Sequence, residues 1–224
     1  MEGFNLVMHY MPYLLKGLLN TVVVSVCAIL IALCVGLLLS VLRLSGNRFI
    51  TAIVNIYISF VRGTPLLVQI FIIFYALAMV GPNIPAFATG VIALSLNSGG
   101  FMAEIIRGGL TAIPKGQYES AVALGMSKTK TLFRIIFPQV FRIVVPQLTS
   151  EFINVIKVSP MLSVISIVEL TRTAQRLYKQ TYEPIPFFIA IAVLYFIVCA
   201  GLEEIVKRQK RKKKLIPVSY THLT

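Results

Sequence analysis

Five runs of apolar residues, separated by polar or turn-forming stretches, organise this chain of 224 residues. They cover about 18–42, 52–80, 86–106, 138–158 and 185–206. A helix needs roughly 20 apolar residues to cross about 30 Å of hydrocarbon, and each run is long enough. The second is interrupted by Arg62-Gly63-Thr64-Pro65, where glycine and proline favour a break. Residues 1–17 are a mixed, partly aromatic lead-in that suits the membrane interface. Ser45-Gly46-Asn47 punctuates a basic turn at 43–51, and Gly81-Pro82-Asn83 with Pro85 makes an uncharged one. Pro138 suits the first position of the fourth span, and Pro146 should kink it. Residues 159–184 form a mixed connection with a short helix expected at 163–178. The layout is all-α and transmembrane: an interfacial segment at 1–17, a five-span domain at 18–206 and a basic tail at 207–224.

Between the third and fourth runs, the stretch 117–139 is neither a span nor a featureless loop. Tyr118, Ala121, Val122 and Gly125 recur at i, i+3, i+4 and i+7, the spacing of one helix face. Two of these four carry almost no side chain, so another surface can come close. Gly125 should end the helix, and Ser127 can cap a second short one.

Composition agrees with a membrane protein: 57% of residues are hydrophobic, with no Asp and no Trp. The formal net charge of +13 raises the question of nucleic acid, but seven of the 21 basic residues follow the last span directly, between Lys207 and Lys214. A run so placed is an anchor for anionic membrane lipid, not a nucleic-acid patch. Fourteen basic residues fall in the 43–51 turn, the 107–134 loop and the tail, against four on the opposite side. The positive-inside rule then puts the N-terminus outside and the C-terminus, with the central loop, in the cytoplasm. Cys27, Cys34 and Cys199 lie inside apolar runs without metal-ligand spacing, and His9 and His222 are isolated. Neither a metal site nor His-based nucleophilic chemistry has a foundation here. The first run is too long for a signal-peptide core and is expected to be retained, and residues 217–224 read as disordered.

Glu119-Ser120-Ala121, then Gly125, then Ile135, Phe137 and Pro138 resemble the EAA-x3-G-x9-I-x-L-P loop of bacterial ABC importer membrane subunits. Ser120 replaces an Ala and Phe137 a Leu, with the spacing intact. Two further blocks resemble the polar amino-acid branch: Arg62-Gly63-Thr64-Pro65-Leu66-Leu67-Val68-Gln69, and Ala103-Glu104-Ile105-Ile106-Arg107-Gly108-Gly109, continued by Pro114-Lys115-Gly116-Gln117. The likeness runs over about 17–206. It implies a five-helix type I importer permease in the bacterial inner membrane, part of an ATP-driven importer of polar amino acids. It implies that Glu119, Ala121 and Gly125, with Tyr118 and Val122 on the same helix, form coupling helices seated in a groove of a cytoplasmic ATP-binding cassette subunit. ATP and Mg²⁺ would belong to that partner, because this chain has no phosphate loop of the GxxxxGK[ST] type and so no cofactor of its own. A second permease, identical or homologous, and an extracytoplasmic amino-acid-binding protein are implied as well. Where the family has Lys-Asp/Asn-Ser/Thr-Ser-Leu, this chain reads Lys157-Val158-Ser159-Pro160-Met161-Leu162, so no role is carried to Val158 or Pro160.

Glu151 lies about 20 Å along a helix beyond Pro138, near mid-bilayer. A carboxylate there costs roughly 2.5 kcal/mol or more unless it meets a partner or water. Two readings stand: a cavity carboxylate for the cationic group of a solute, or an internal ion pair with Arg142, Lys157 or Arg62. Asn154, three residues on, shares its face. Asn97 and Ser98, beside Gly99-Gly100, and Thr64 and Gln69, at the broken span, are candidates for the same cavity. Helix packing by small and polar residues is their alternative. Glu104 and Arg107 are expected to pair locally and orient the loop. A free Glu151 favours arginine, lysine or histidine as solute, with a neutral polar amino acid such as glutamine or cystine as the alternative. From another class, an ion-coupled carrier or channel would need no ATP-binding partner.

Overall fold

The computed structural model describes residues 2–80 and 84–213, and all regular structure among them is helical. The first half consists of α1 (Glu2–Arg43), α2 (Arg48–Gly63), α3 (Leu66–Val80) and α4 (Ala86–Thr111). Two short helices, α5 (Lys115–Ala123) and α6 (Lys128–Thr131), fill the polar loop. From α6 the chain passes through a π-helical turn (Leu132–Ile136) into α7 (Phe137–Val158). A 3-10 turn (Ser159–Ile165), α8 (Leu170–Thr181) and α9 (Pro184–Lys213) follow. Among the described residues, four stretches are long and apolar enough to cross a membrane: Gly3–Arg43, Ala86–Thr111, Lys128–Ile165 and Pro184–Arg208. The pair α2 and α3, bent by 114° at the break between them, makes a fifth if counted as one broken span. Thr64 is extended (φ −122°, ψ 147°), as the residue before a proline must be, and this turns the break into a corner.

Small residues set the closest helix crossing. Ala28, Ala32, Gly36 and Ser40 of α1 recur every fourth position, as do Ser95, Gly99 and Ala103 of α4, and all are buried. Without side-chain bulk the backbones approach closely. A Cβ on Gly99 would stand 2.5 Å from Val35 Cγ1, and one on Gly36 2.8 Å from Met102 Cβ. Ser95 Oγ donates across the crossing to the Ala28 carbonyl at 3.2 Å. Gly99→Val is therefore expected to force α1 from α4, costing about 1–3 kcal/mol or more and lowering the thermal midpoint of the purified protein by several degrees. Gly108→Ala is the control, since a Cβ there meets nothing within 4 Å. Equal midpoints for the two variants would show that the seam does not hold α1 to α4.

Around this seam, Val24, Ile70, Leu94, Val155 and Leu162 bring α1, α3, α4, α7 and the 3-10 turn into one core. A second core joins Leu14 of α1 to Leu170, Ala174 and Leu177 of α8 and to Phe187 of α9. Residues from Glu2 onward are the opening turns of α1, with Leu14 fully buried in that second core. At the other end, α9 continues past 206 to Lys213.

Pro138 lies in the first turn of α7, as its chemistry suits, and α6 arrives there already wound. Phe137 N–H reaches back to the Leu132 carbonyl, so the missing N–H of Pro138 falls just after a widened turn. The chain stays helical through Pro146 as well. One further boundary differs from the sequence reading, in the connection after α7. The helix expected at 163–178 is divided: a 3-10 turn ends at Ser166, which is left-handed (φ 67°), and α8 begins at Leu170. The carboxylate of Glu169 decides that start, accepting the N–H of Thr171 at 2.8 Å and of Arg172 at 2.6 Å, with Tyr195 Oη donating at 2.9 Å. Burial pushes the Glu169 carboxyl above its ordinary range, and those donors offset part of the rise. Asn20 and Thr21 of α1 bond Val168 O and Leu170 N–H, which pins this cap to the first helix. The turn at Gly81-Pro82-Asn83 and residues 214–224 lie outside the described residues.

Candidate functional site

Asn97 and Ser98 are consecutive on α4, so their side chains leave the helix about 100° apart and meet different neighbours. Asn97 Nδ2 donates to Gln69 Oε1 at 3.0 Å. Gln69 Nε2 in turn holds the corner, donating to Val61 O (2.9 Å), Thr64 O (3.1 Å) and Thr64 Oγ1 (2.8 Å). A proline-broken helix leaves carbonyls without their usual donors, and one glutamine amide satisfies them here. On the other side, Ser98 Oγ donates to Glu151 Oε1 at 2.8 Å, and Asn154 Nδ2 to Glu151 Oε2 at 3.4 Å. The six side chains singled out from the sequence thus form two hydrogen-bonded groups, joined through adjacent residues of α4. Gln69, Asn97, Ser98 and Glu151 are buried, and Asn154 is exposed.

Glu151 is 8% exposed. Among the described residues, no Lys, Arg or His lies within 4.0 Å of its carboxylate, and Arg62 pairs with Glu104 instead. Two neutral donors leave an ionised carboxylate uncompensated, a penalty on the order of several kcal/mol.

Beside it, Gln147, Ser150, Asn154 and Lys157 stand at i, i+3, i+7 and i+10 of α7 and are all exposed on the single chain. Such a polar stripe is costly against lipid, so this face turns toward water or another subunit. Of these four, only Asn154 was singled out from the sequence as a solute residue; the spacing of the others was legible, but their common exposure was not. A cleft of about 290 Å³ adjoins the stripe between α7 and α9, lined by Thr149, Ser150, Ile153, Lys157, Glu203 and Lys207 among others.

The loop forms as its punctuation dictates. Gly125 is left-handed (φ +69°) and ends α5, with Met126 N–H closing on Ala121 O at 3.0 Å. Ser127 Oγ accepts the Lys130 N–H at 3.4 Å and caps α6. Gln139 of α7 ties back to Gln117 of α5 at 3.2 Å. Tyr118, Glu119, Val122 and Gly125 are exposed, but Ala121 is 1% exposed and faces the chain itself. Its small side chain lets α5 lie close to its own protein. Leu124, 79% exposed beside Val122 at 69%, is an apolar residue of the free face that was not singled out from the sequence.

Glu104 pairs with Arg107 at 2.8 Å as expected, and it also gathers Arg43 and Arg62.

Membrane-length helices packed around α4, with an exposed helical loop between α4 and α7, define a multi-pass membrane protein. Over residues 28–214 the chain matches the family described as binding-protein-dependent transport system inner membrane component, and it belongs to that family. The L-cystine transport system permease protein TcyB of Bacillus subtilis is 37% identical over 85% of this chain and 82% of its own length. The putative glutamine transport system permease protein GlnP of Rickettsia felis is 38% identical, covering 83% and 86%. The arginine transport system permease protein ArtQ of Bacillus subtilis is 35% identical, covering 94% and 97%. Among solved structures, an amino acid ABC transporter with histidines superposes with a TM-score of 0.87 at 36% identity, covering 92% of this chain and 96% of that one. The inward-facing MetNI methionine ABC transporter shares the fold, with a TM-score of 0.65 at 21% identity over 89% and 97%.

Proposed function

We propose that this chain is the permease subunit of an ATP-driven amino-acid importer, and that Glu151, Ser98, Asn154, Asn97, Gln69 and Thr64 serve its solute path. The preferred solute is cationic: arginine, lysine or histidine. The observation that carries this reading is the buried Glu151, bonded only to neutral donors. A solute ammonium or guanidinium supplies the missing charge through a charge-assisted hydrogen bond. The named relatives and the superposed amino acid transporter support an amino acid as cargo. They also favour a second reading, since the cystine and glutamine permeases are as similar as the arginine one. There the solute is neutral and polar, and Glu151 meets its α-ammonium.

In this proposal the N-terminus lies outside and α5–α6 lie in the cytoplasm, where two ATP-binding cassette subunits hold ATP and Mg²⁺. A second permease faces the polar stripe of α7 across the path, and an extracytoplasmic binding protein delivers the solute. Closure of the ATP-binding subunits moves α5. The loop leads from α4 into α7, the helices that carry Ser98 and Glu151, so its displacement reopens the contact between them and exposes the carboxylate. An ion-coupled carrier or channel is disfavoured by membership of a binding-protein-dependent family.

The test is uptake into proteoliposomes containing the complete transporter, its binding protein and internal ATP. Labelled arginine, lysine and histidine are expected to accumulate, with glutamine and cystine competing weakly. Accumulation of glutamine or cystine alone would replace the cationic reading by the neutral one. Equal uptake without ATP would overturn the importer.

A further inference from the structure

One face of α4 fastens the corner between α2 and α3 at three successive levels. Asn97, Gly100 and Glu104 stand at i, i+3 and i+7. At the first level Asn97 bonds Gln69, which grips the carbonyls of Val61 and Thr64. At the second, Val61 packs on bare backbone: a Cβ on Gly100 would stand 3.0 Å from Val61 Cγ1. At the third the fastening is electrostatic. Glu104 Oε2 lies 3.7 Å from Arg62 Nη1, two residues before Thr64.

The same carboxylate receives Arg107 through Nε and Nη2, at 3.0 and 2.8 Å to Oε2, and Arg43 through Nη1. A single acid thus gathers guanidinia from the ends of α1 and α2 and from α4 itself, and its side chain is only 16% exposed. Three guanidinia around one carboxylate leave two positive charges in excess. Without Glu104 their mutual repulsion acts unopposed and pushes the corner and the end of α1 away from α4. Past Thr111 the chain passes through Ala112, Ile113 and Pro114 into α5. Helix α4 is therefore a continuous rod, with the loop at one end and the corner along its side.

We infer that Glu104 is a positioning residue whose ion pair with Arg62 makes the corner bearing Thr64 and Gln69 move as one body with α4. Displacement of α5 then reaches the solute path through a rigid element and not through the flexible bend. The inference rests on the roles proposed above for α5 and for Thr64 and Gln69. It names a physical two-body linkage that a substitution can break.

The experiment uses the reconstituted complex with ATP-binding subunits and binding protein. It reads ATP hydrolysis with and without solute-loaded binding protein, together with uptake. Glu104→Gln is expected to co-purify with its partners and keep basal hydrolysis, while uptake falls at least about tenfold and stimulation by loaded binding protein is lost. The exchange Glu104→Arg with Arg62→Glu keeps one carboxylate among three guanidinia and is expected to restore most of both. If Glu104→Gln fails to assemble, Arg62→Gln carries the same expectation, since Glu104 then still pairs with Arg43 and Arg107. Undiminished uptake and stimulation in the assembled single variant would overturn the inference. So would an exchange variant that assembles but does not recover, because Glu104 would then act other than through Arg62. A wild-type complex without ATP-driven amino-acid uptake would count against the proposed function instead, so the two failures are told apart.

Discussion

Replacing Glu151 with Gln is expected to lower the uptake efficiency for arginine and lysine by about 10- to 100-fold while leaving the complex assembled. A hydrogen bond to a charged partner contributes about 1.5–3 kcal/mol, which sets that range. The substitution removes charge and little else. Gln keeps an acceptor for Ser98 Oγ, and Asn154 can turn its amide to accept from the new NH₂. Because the ionised carboxylate is buried among neutral donors, its loss should leave the thermal midpoint unchanged or raise it. Glu151→Ala, in contrast, leaves Ser98 without its acceptor and opens a hole, so it lowers stability as well. Initial rates over a range of concentrations separate the readings. A rise in KM confined to cationic amino acids supports the cationic solute, whereas an equal loss for glutamine supports contact with the α-ammonium. Unchanged kinetics for every amino acid would make Glu151 a packing residue of α4 and α7.

Substitution at Gly125 is expected to abolish ATP-driven uptake and to release the ATP-binding subunits on purification, and the choice of residue shows why. Gly125 has φ +69°, where a β-branched side chain is strained. Gly125→Val therefore distorts the turn between α5 and α6 whatever surrounds it. Asn tolerates the left-handed region, and a Cβ at this position meets nothing within 4 Å in the chain itself. Gly125→Asn should thus fold normally, so a loss of partner retention would come from the partner's surface meeting the added side chain. Retention by the Asn variant but not the Val variant would mean that only the backbone conformation matters. Glu119→Lys tests the neighbouring exposed charge, and retention should drop without a change in thermal midpoint. Full uptake by both Glu119→Lys and Gly125→Asn would remove the docking role from this loop.

Much of the molecule was legible along the chain because it depends on local rules. A helix that crosses lipid must satisfy its own backbone, so apolar length alone marks the spans. The left-handed end of α5 at Gly125 and the cap at Ser127 likewise follow from residues within a turn of each other. Where local rules misled, an element elsewhere decided. One helix was expected over 163–178, but Ser166 and the Glu169 cap, pinned by Thr21 of α1, divide it. The first apolar run was read from 18, but the helix already runs from Glu2, where Leu14 is held by α8 and α9.

What the sequence by itself determined is the apolar spans, the break at Thr64-Pro65, and the identity of the polar residues within those spans. Only the tertiary structure decided their partners. Ser98 meets Glu151 across 53 residues, and Arg43 meets Glu104 across 61. Ala121 turns inward although its spacing groups it with exposed neighbours. The reason is geometric. Periodicity tells which residues share a face, but which face meets which depends on how α1 and α4 close over Gly36 and Gly99, and that closure orients every helix packed around them.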